Sequence, residues 1–379
     1  MRVSETMTGS GRMRGWLAGA LALCSVGTAQ ALDMGVFGDM SFSLSDVEDS
    51  EPSFRLGSLD LYALHYIDDK TKALFETQFQ TFSGGDITVE IQRFWIMREI
   101  DDAFHLGAGR FHTPLGYWNR HFHHGILMQD TVSRPFFLAF EGGATAIFPT
   151  HLIGVLAEGG FDNGLRYEAA VANSNALDST NDDEGLIVPN RADMGNRKSF
   201  FGRLSFDDYQ RAFRPGLTVM VNDVREGAAE DAVLCSGSSI EPCSIAARGE
   251  SLVRQNLYGL DLRYERGRFG LLAEIYRIEN EMRAGGEGKR DSLAWFAQLG
   301  YRLNDRLLLT WRHEALDFDD DDPYYLDLIG LNSPESRNVF ALRYDFSESN
   351  ALMLETSLRD RERGEDTTST LLSWAFVMF

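Results

Sequence analysis

Apolar and polar residues alternate along most of this chain, in stretches of about ten to fourteen residues that end in polar turns. In Lys72 to Gln80, Ala73, Phe75, Thr77 and Phe79 share one face, and Glu76, Gln78 and Gln80 share the other with Lys72 and Leu74. In Arg337 to Phe346, Phe340, Leu342, Tyr344 and Phe346 oppose Arg343 and Asp345. A helix would scatter such residues around its axis, whereas a strand sorts them onto two faces. The pattern predicts strands near 33–45, 54–67, 70–82, 87–100, 103–112, 151–161, 164–174 and 197–208. Eight more follow near 212–224, 252–266, 268–280, 290–303, 305–316, 337–347, 350–361 and 368–379.

The connections have their own rhythm. Short turns such as Ile67-Asp68-Asp69-Lys70, Ile100-Asp101-Asp102, Asp162-Asn163-Gly164, Arg266-Gly267-Arg268, Leu303-Asn304-Asp305 and Ser347-Glu348-Ser349 alternate with long polar connections. The long ones lie near 46–53, 174–196, 225–251, 281–290, 316–336 and 361–367. A soluble β-sandwich has many strands but needs neither this rhythm nor strands of about twelve residues. An outer-membrane barrel has short periplasmic turns, long outer loops and one face in lipid. With both chain ends on the periplasmic side the strand count must be even. That makes 113–150 one external connection, excludes an extra strand at Gly143 to Phe148, and gives sixteen. The fold expected is all-β, a transmembrane antiparallel barrel over 32–379. Arg306-Leu307-Leu308-Leu309-Thr310-Trp311 and Leu371 to Phe379 are apolar on both faces in places, which fits an inner wall partly covered by loops or neighbouring side chains, and equally a buried strand of another fold.

The N-terminus fits an exported protein. Arg12 and Arg14 precede an apolar run from Trp16 to Leu23, and Thr28-Ala29-Gln30-Ala31 offers small residues for cleavage after Ala31. Residues 1–31 are thus expected to be a signal peptide. Leu21-Ala22-Leu23-Cys24 has a faint lipobox form, with Leu23 where Gly or Ala is wanted. No apolar run of spanning length follows. The formal net charge is −21, which disfavours nucleic acid as a partner. Beyond the signal peptide the cysteines are Cys235 and Cys243, in a Ser/Gly-rich stretch. A disulfide closing a surface loop is expected in an oxidising compartment, and the spacing fits no zinc signature. The chain ends on Phe379, with Val377, Ala375 and Leu371 at alternate places behind it. This resembles the signal read by the barrel-insertion machinery, with a terminal aromatic at the membrane interface.

The third external connection carries the candidate chemistry. Pro114-Leu115-Gly116-Tyr117-Trp118-Asn119-Arg120-His121-Phe122-His123-His124, and later Arg134-Pro135-Phe136-Phe137, are too apolar for a loop lying in solvent. A loop of this length usually has a role, and folding inward to narrow the lumen is the role its composition suits. His105, His112, His121, His123, His124 and His151 all fall between residues 105 and 151, as do Arg110, Arg120 and Arg134. The constriction is expected to use Arg110, His112, Arg120, His121, His123, His124 and Arg134. The spacing of His121, His123 and His124 is poor for three ligands on one regular element, so pore lining is preferred to metal. No Ser/His/Asp or paired-acid constellation stands out, so neither enzymatic activity nor a cofactor is expected.

Gly109-Arg110-Phe111-His112-Thr113-Pro114-Leu115-Gly116, followed by Arg134-Pro135, resembles the segment entering the third loop of the phosphate-selective porin family. His151 to Gly160, Phe161-Asp162-Asn163-Gly164-Leu165-Arg166-Tyr167 and Val171-Ala172-Asn173 resemble the strand pair after it. The resemblance is clear over 105–175 and one of pattern elsewhere. It implies a sixteen-stranded trimeric barrel that passes small hydrophilic solutes. Phosphate-selective members place arginines on the inner wall and lysines in the loops. This chain is acidic and poor in Lys, so the phosphate selectivity is not carried over.

The expected function is passive diffusion of small hydrophilic or anionic solutes across the outer membrane, with membrane lipid and lipopolysaccharide as surroundings. Anion preference follows if the arginines dominate the narrow section. Cation preference follows if Asp130, Glu141 and wall carboxylates such as Glu76 dominate. The alternative is a barrel-anchored surface protein, for which Asp182-Asp183-Glu184 and Asp317 to Asp327 supply acidic loops. Channels for apolar solutes carry an N-terminal plug, and no plug is expected before a first strand so close to Ala31.

Overall fold

The computed structural model describes residues 32–47, 51–81, 87–122, 125–141, 143, 145–177, 185–188, 197–206, 212–226, 250–284 and 288–379. The signal segment, His123, His124, Cys235 and Cys243 lie outside the described residues. Strands β1 (Leu32–Ser45), β2 (Ser53–Asp68), β3 (Thr71–Thr81), β4 (Ile87–Asp101) and β5 (Phe104–His112) come first. Then come β6 (His151–Gly160), β7 (Leu165–Asn173), the short β8 (Asn175–Leu177) and β9 (Leu186–Ile187), β10 (Lys198–Phe206) and β11 (Phe213–Arg225). The series ends with β12 (Ser251–Arg266), β13 (Phe269–Met282), β14 (Lys289–Asn304), β15 (Leu307–Asp317), β16 (Glu335–Ser347), β17 (Asn350–Arg361) and β18 (Thr367–Met378).

Setting β8 and β9 aside, sixteen strands form the wall, each antiparallel to the next. Strand β7 pairs directly with β10, and β18 pairs with β1 through Val36 and Met378, which closes the cylinder. A closed barrel satisfies every wall strand's backbone and leaves no free edge, the condition for crossing lipid with strands. The predicted strands match the wall within a few residues. Among its described residues, Gly143 to Phe148 contributes only an isolated bridge, between Leu138 and Ala146. The short strands β8 and β9 inside the 174–196 connection are an addition that the alternation did not reveal.

Side-chain capping fixes the short turns. Asp68 accepts from the Lys70 amide, Asp101 from Ala103, Asn163 from Leu165 and Asn304 from Arg306, at 2.8, 2.9, 2.9 and 2.9 Å. Each is an Asx turn, in which the side chain takes the place of a backbone acceptor two residues back.

Outside, Phe75, Phe94, Ile96, Leu217, Val219, Phe340, Leu342, Leu354 and Trp374 are exposed, as lipid-facing positions must be. The Phe75 face of β3 behaves as expected except at Thr77, which is buried and donates its hydroxyl to the Glu90 carbonyl. The cause is a register shift between Glu76 and Thr77, where β4 carries Gln92 as an extra residue. Such a bulge turns both Gln92 and Arg93 away from the apolar series. At the C-terminus the lipid-facing series is Leu372, Trp374 and Met378, whereas Ala375 is buried. Phe379 follows the last strand and is 91% exposed.

Apolar inner-wall positions are covered by loops. One transverse row runs Leu156, Ala170, Phe201, Met220, Leu257 and Ile278, each opposite the next on six successive wall strands. These side chains share one buried cluster with Trp118, Phe137, Leu138, Ile147 and Phe148 of the 113–150 loop, and with Tyr324 and Tyr325 from the connection after β15. A second cluster sets Val132, Ile126 and Leu127 against Met353, Leu371 and Ala375. Burying an aromatic or large aliphatic side chain is worth about 1.5–3 kcal/mol, so this loop is held inside chiefly by its own apolar residues. The acidic connection after β15 is more than a solvated face, since the Tyr324 hydroxyl donates to the Ile147 carbonyl at 2.5 Å.

Candidate functional site

The loop between β5 and β6 crosses the lumen and returns. Its neck is closed by the Thr113 amide donating to the Thr150 carbonyl at 2.9 Å. Asn119, wholly buried, donates through Nδ2 to the carbonyls of both Thr113 and Thr150, each at 2.9 Å. One amide side chain thus holds both ends of the loop. The turn before it needs Gly116, where φ is +58° and a Cβ would lie 2.0 Å from the Tyr276 hydroxyl.

From that turn the loop is fixed to the far wall by charge-assisted hydrogen bonds. The Trp118 amide donates to Glu274 Oε1 at 2.5 Å, and the Tyr276 hydroxyl donates to the other oxygen of the same carboxylate. The amides of Val132 and Ser133 donate to Glu355 at 2.7 and 3.0 Å, and that of Phe136 to Glu314 at 3.2 Å. In the opposite sense, Arg312 donates to Thr131 Oγ1 at 2.6 Å, Arg337 to the Arg134 carbonyl at 2.6 Å, and Arg343 to the carbonyls of Leu127 and Gln129, both at 2.6 Å. The wall therefore presents carboxylates to loop amides and guanidinium groups to loop carbonyls. Strand alternation places these residues on the inner face, but their meeting with the loop has no sequence signal.

The expected site residues fall into two places. Arg120 and His121, on the short helix Trp118–His121, border a polar cavity with His105, Glu158, Arg166, Glu168 and Arg203. His105, Glu158, Glu168 and Arg203 lie opposite one another in a transverse row across β5, β6, β7 and β10. Arg120 reaches into that row, 2.5 Å from Glu168 and 3.8 Å from Glu158. Arg203 pairs with Asp261 at 2.7 Å and lies 4.0 Å from Glu168. His121 stacks on Tyr117 with centroids 3.9 Å apart and bonds the Tyr117 carbonyl through Nδ1 at 3.0 Å.

Arg110, His112 and Arg134 lie apart from that cavity, in buried surroundings at the loop's base. Arg110 pairs with Glu90 at 2.9 Å and donates to the Val188 carbonyl at 3.3 Å. The His112 ring meets His151 edge-on at 5.4 Å. His151 pairs through Nδ1 with Glu141 at 2.9 Å, and Glu141 also accepts from the amides of Thr150 and His151 at 2.7 and 2.6 Å. Burial alone would raise the Glu141 pKa. The His151 imidazole, the charge on Arg110 and these hydrogen bonds outweigh burial and hold it well below the ordinary carboxylate range. The Arg134 guanidinium packs over the Phe140 ring at 3.7 Å. Its three nitrogens are buried with no hydrogen-bond partner among the described residues. Burial pushes its pKa down to about 9, although the Glu141 charge acts in the other direction. Among the described residues no group of His, Cys, Asp and Glu is arranged to hold a metal ion.

Sequence comparison is silent, since no family model and no curated protein matches this chain. Solved structures do match it. The anion-selective porin from Comamonas acidovorans superposes with a TM-score of 0.64 at 10% identity, over 92% of this chain and 100% of that one. The fold is that of a porin. The outer-membrane channel DcaP of Acinetobacter baumannii gives a TM-score of 0.56 at 10% identity, over 91% and 97% of the two chains. Salmonella typhi OmpF, in a complex with daunomycin, gives 0.58 at 9% identity, over 92% and 98%. At such identities the likeness is one of fold, and no residue role passes from those proteins to this barrel.

Proposed function

We propose that this barrel is a passive outer-membrane channel for small hydrophilic solutes, with a preference for anions that Arg120 supplies. The observation that carries the reading is the loop inside a closed sixteen-stranded wall, with Arg120 and His121 bordering a polar cavity. Around that cavity Lys72, Arg120, Arg166 and Arg203 stand against Asp102, Glu158, Asp162 and Glu168, so the described formal charges balance. Of these cations Arg120 is the one carried by the inward loop. In a narrow section a few near charges outweigh the screened loop acids. Export through residues 1–31, insertion directed by Phe379, contact with lipopolysaccharide and assembly as a homotrimer complete the reading. The cavity centres it on Arg120 and His121, with Arg110, His112 and Arg134 shaping the loop's base.

Reversal potentials in a potassium chloride gradient test it. Conductance with an anion preference is expected, and replacing Arg120 by Ala should reduce that preference. Absence of conductance would favour the barrel-anchored surface protein. Cation preference in the unaltered barrel would refute the selectivity while leaving the channel.

A further inference from the structure

The inner wall of a water-filled barrel is ordinarily polar, yet the part of β1–β4 nearest the short turns is aromatic. Phe37 lies opposite Asp60, and Tyr62 opposite Glu76. Leu64, Leu74 and Trp95 form the next row, and Tyr66, Lys72 and Met97 the row after it. Asp60, Glu76, Leu74 and Met97 are buried, while Leu59, Phe75, Phe94 and Ile96 at alternate positions are exposed to lipid. The rows of Phe37, Tyr62 and Trp95 therefore face inward.

Trp95 packs in part against the main apolar cluster, yet these rings are not fully buried. Phe37, Tyr62 and Trp95 remain partly exposed, and Tyr66 is 46% exposed. Phe37 and Tyr62 have centroids 6.2 Å apart. The 113–150 loop passes over one end of the patch at Gly125, where a Cβ would stand 3.0 Å from Phe37 Cδ2. Beside the rings, the Lys72 ammonium lies 5.9 Å from the centre of Trp95 and makes no ion pair among the described residues. Tyr66, Lys72, Met97 and His105 line a small hollow together with Lys70, Thr71 and the acids Asp69 and Glu99, and Lys72 and His105 also border the larger cavity below Arg120. Apolar faces with a few convergent polar groups are the usual composition of a small-molecule site.

We infer that this patch is a solute-binding site for small molecules that join a planar apolar ring to a carboxylate. The ring lies against Tyr62 and Trp95, and the carboxylate meets Lys72, whose ammonium makes no ion pair among the described residues. A neutral aromatic would gain the stacking alone, and a short aliphatic acid the charge alone. An aromatic amine would be repelled by Lys72. The inference deepens the channel reading, and rests on it only for how a solute reaches the wall.

Calorimetric titration of the detergent-solubilised barrel tests the site, with sodium benzoate as the probe and sodium acetate and benzylamine as controls. Benzoate should bind at least tenfold more tightly than either control. Lys72→Gln and Trp95→Leu should each weaken it at least fivefold. If Trp95→Leu loses the heat-modifiable mobility of a folded barrel, Lys72→Gln decides, because its side chain lies outside the core. Benzoate binding no tighter than acetate, or unaffected by Lys72→Gln, overturns the proposal. Conductance in potassium chloride on the same preparations reads the channel separately. A conducting barrel that ignores benzoate defeats the site alone, and a barrel that binds benzoate without conducting defeats the channel alone.

Discussion

The amide of Trp118 donates to the Glu274 carboxylate across 2.5 Å, joining residues 156 positions apart in the chain. Both partners are buried, and the same carboxylate accepts the Tyr276 hydroxyl. One acid of the wall thus receives both the first turn of the loop helix and a neighbouring wall residue, and it sets where that helix sits over the lumen.

Removing that acceptor leaves two donors buried and unmet. Glu274→Ala should destabilise the barrel by about 1–3 kcal/mol for each orphaned donor. The loop should loosen before the wall does. Glu274→Gln keeps an acceptor and should lose roughly half as much. Thermal unfolding on gels reads the stability, and deuterium uptake over 113–122 reads the loop. Unchanged uptake in Glu274→Ala would show that the apolar cluster alone holds the helix.

Glu141 should make the loop's return limb resistant to moderate acid. Its pKa is held below the ordinary value of 4.5 in the folded state. The stability it contributes is therefore fully present above that value and is lost as pH falls through the lower folded one. Pepsin should leave residues 130–150 intact at pH 4 and cut them at pH 2, with the wall surviving both. Glu141→Gln should be cut at pH 4 already. Equal cleavage of the wild type at both pH values would contradict this.

Arg134→Met should leave stability unchanged or raise it. The guanidinium is buried over Phe140 without a hydrogen-bond partner among the described residues. Glu141 keeps His151 and its two amide donors when Arg134 is gone. Replacing a buried, poorly satisfied charge by an apolar side chain of similar length is often neutral or favourable. A loss of about 3 kcal/mol, the size expected when a buried ion pair is broken, would show that Arg134 is the partner on which Glu141 depends.

Cys235 and Cys243 should be joined by a disulfide in the 225–251 connection. Labelling of free thiols under denaturing, non-reducing conditions should detect neither of them in the exported chain. Reduction should leave the unfolding temperature of the wall nearly unchanged, because the closed loop is short and disulfide stabilisation grows with loop length. Two labelled cysteines would refute the pairing.

Local sequence determined the wall. Alternation sorts each strand's residues onto two faces with a period of two, and Asp, Asn, Gly and Ser mark the turns, so strand limits, strand number and the lipid-facing series could all be read before any contact was known. It also marked 113–150 as an inward loop, because so many aromatics would not stay in solvent. Tertiary structure decided which wall residues meet that loop. Alternation places Glu158, Glu168, Arg203, Glu274 and Glu355 on the inner face but does not say what lies opposite across the lumen. That depends on closure of the barrel and on where the loop's apolar cluster packs, both of which are long-range. Arg110, Arg120 and Arg134 look equivalent in the sequence as cations near a constriction. Only the fold separates Arg120, which reaches Glu168 beside the cavity, from Arg110 and Arg134, which are buried at the loop's base, because a side chain's solvation is set by everything packed around it.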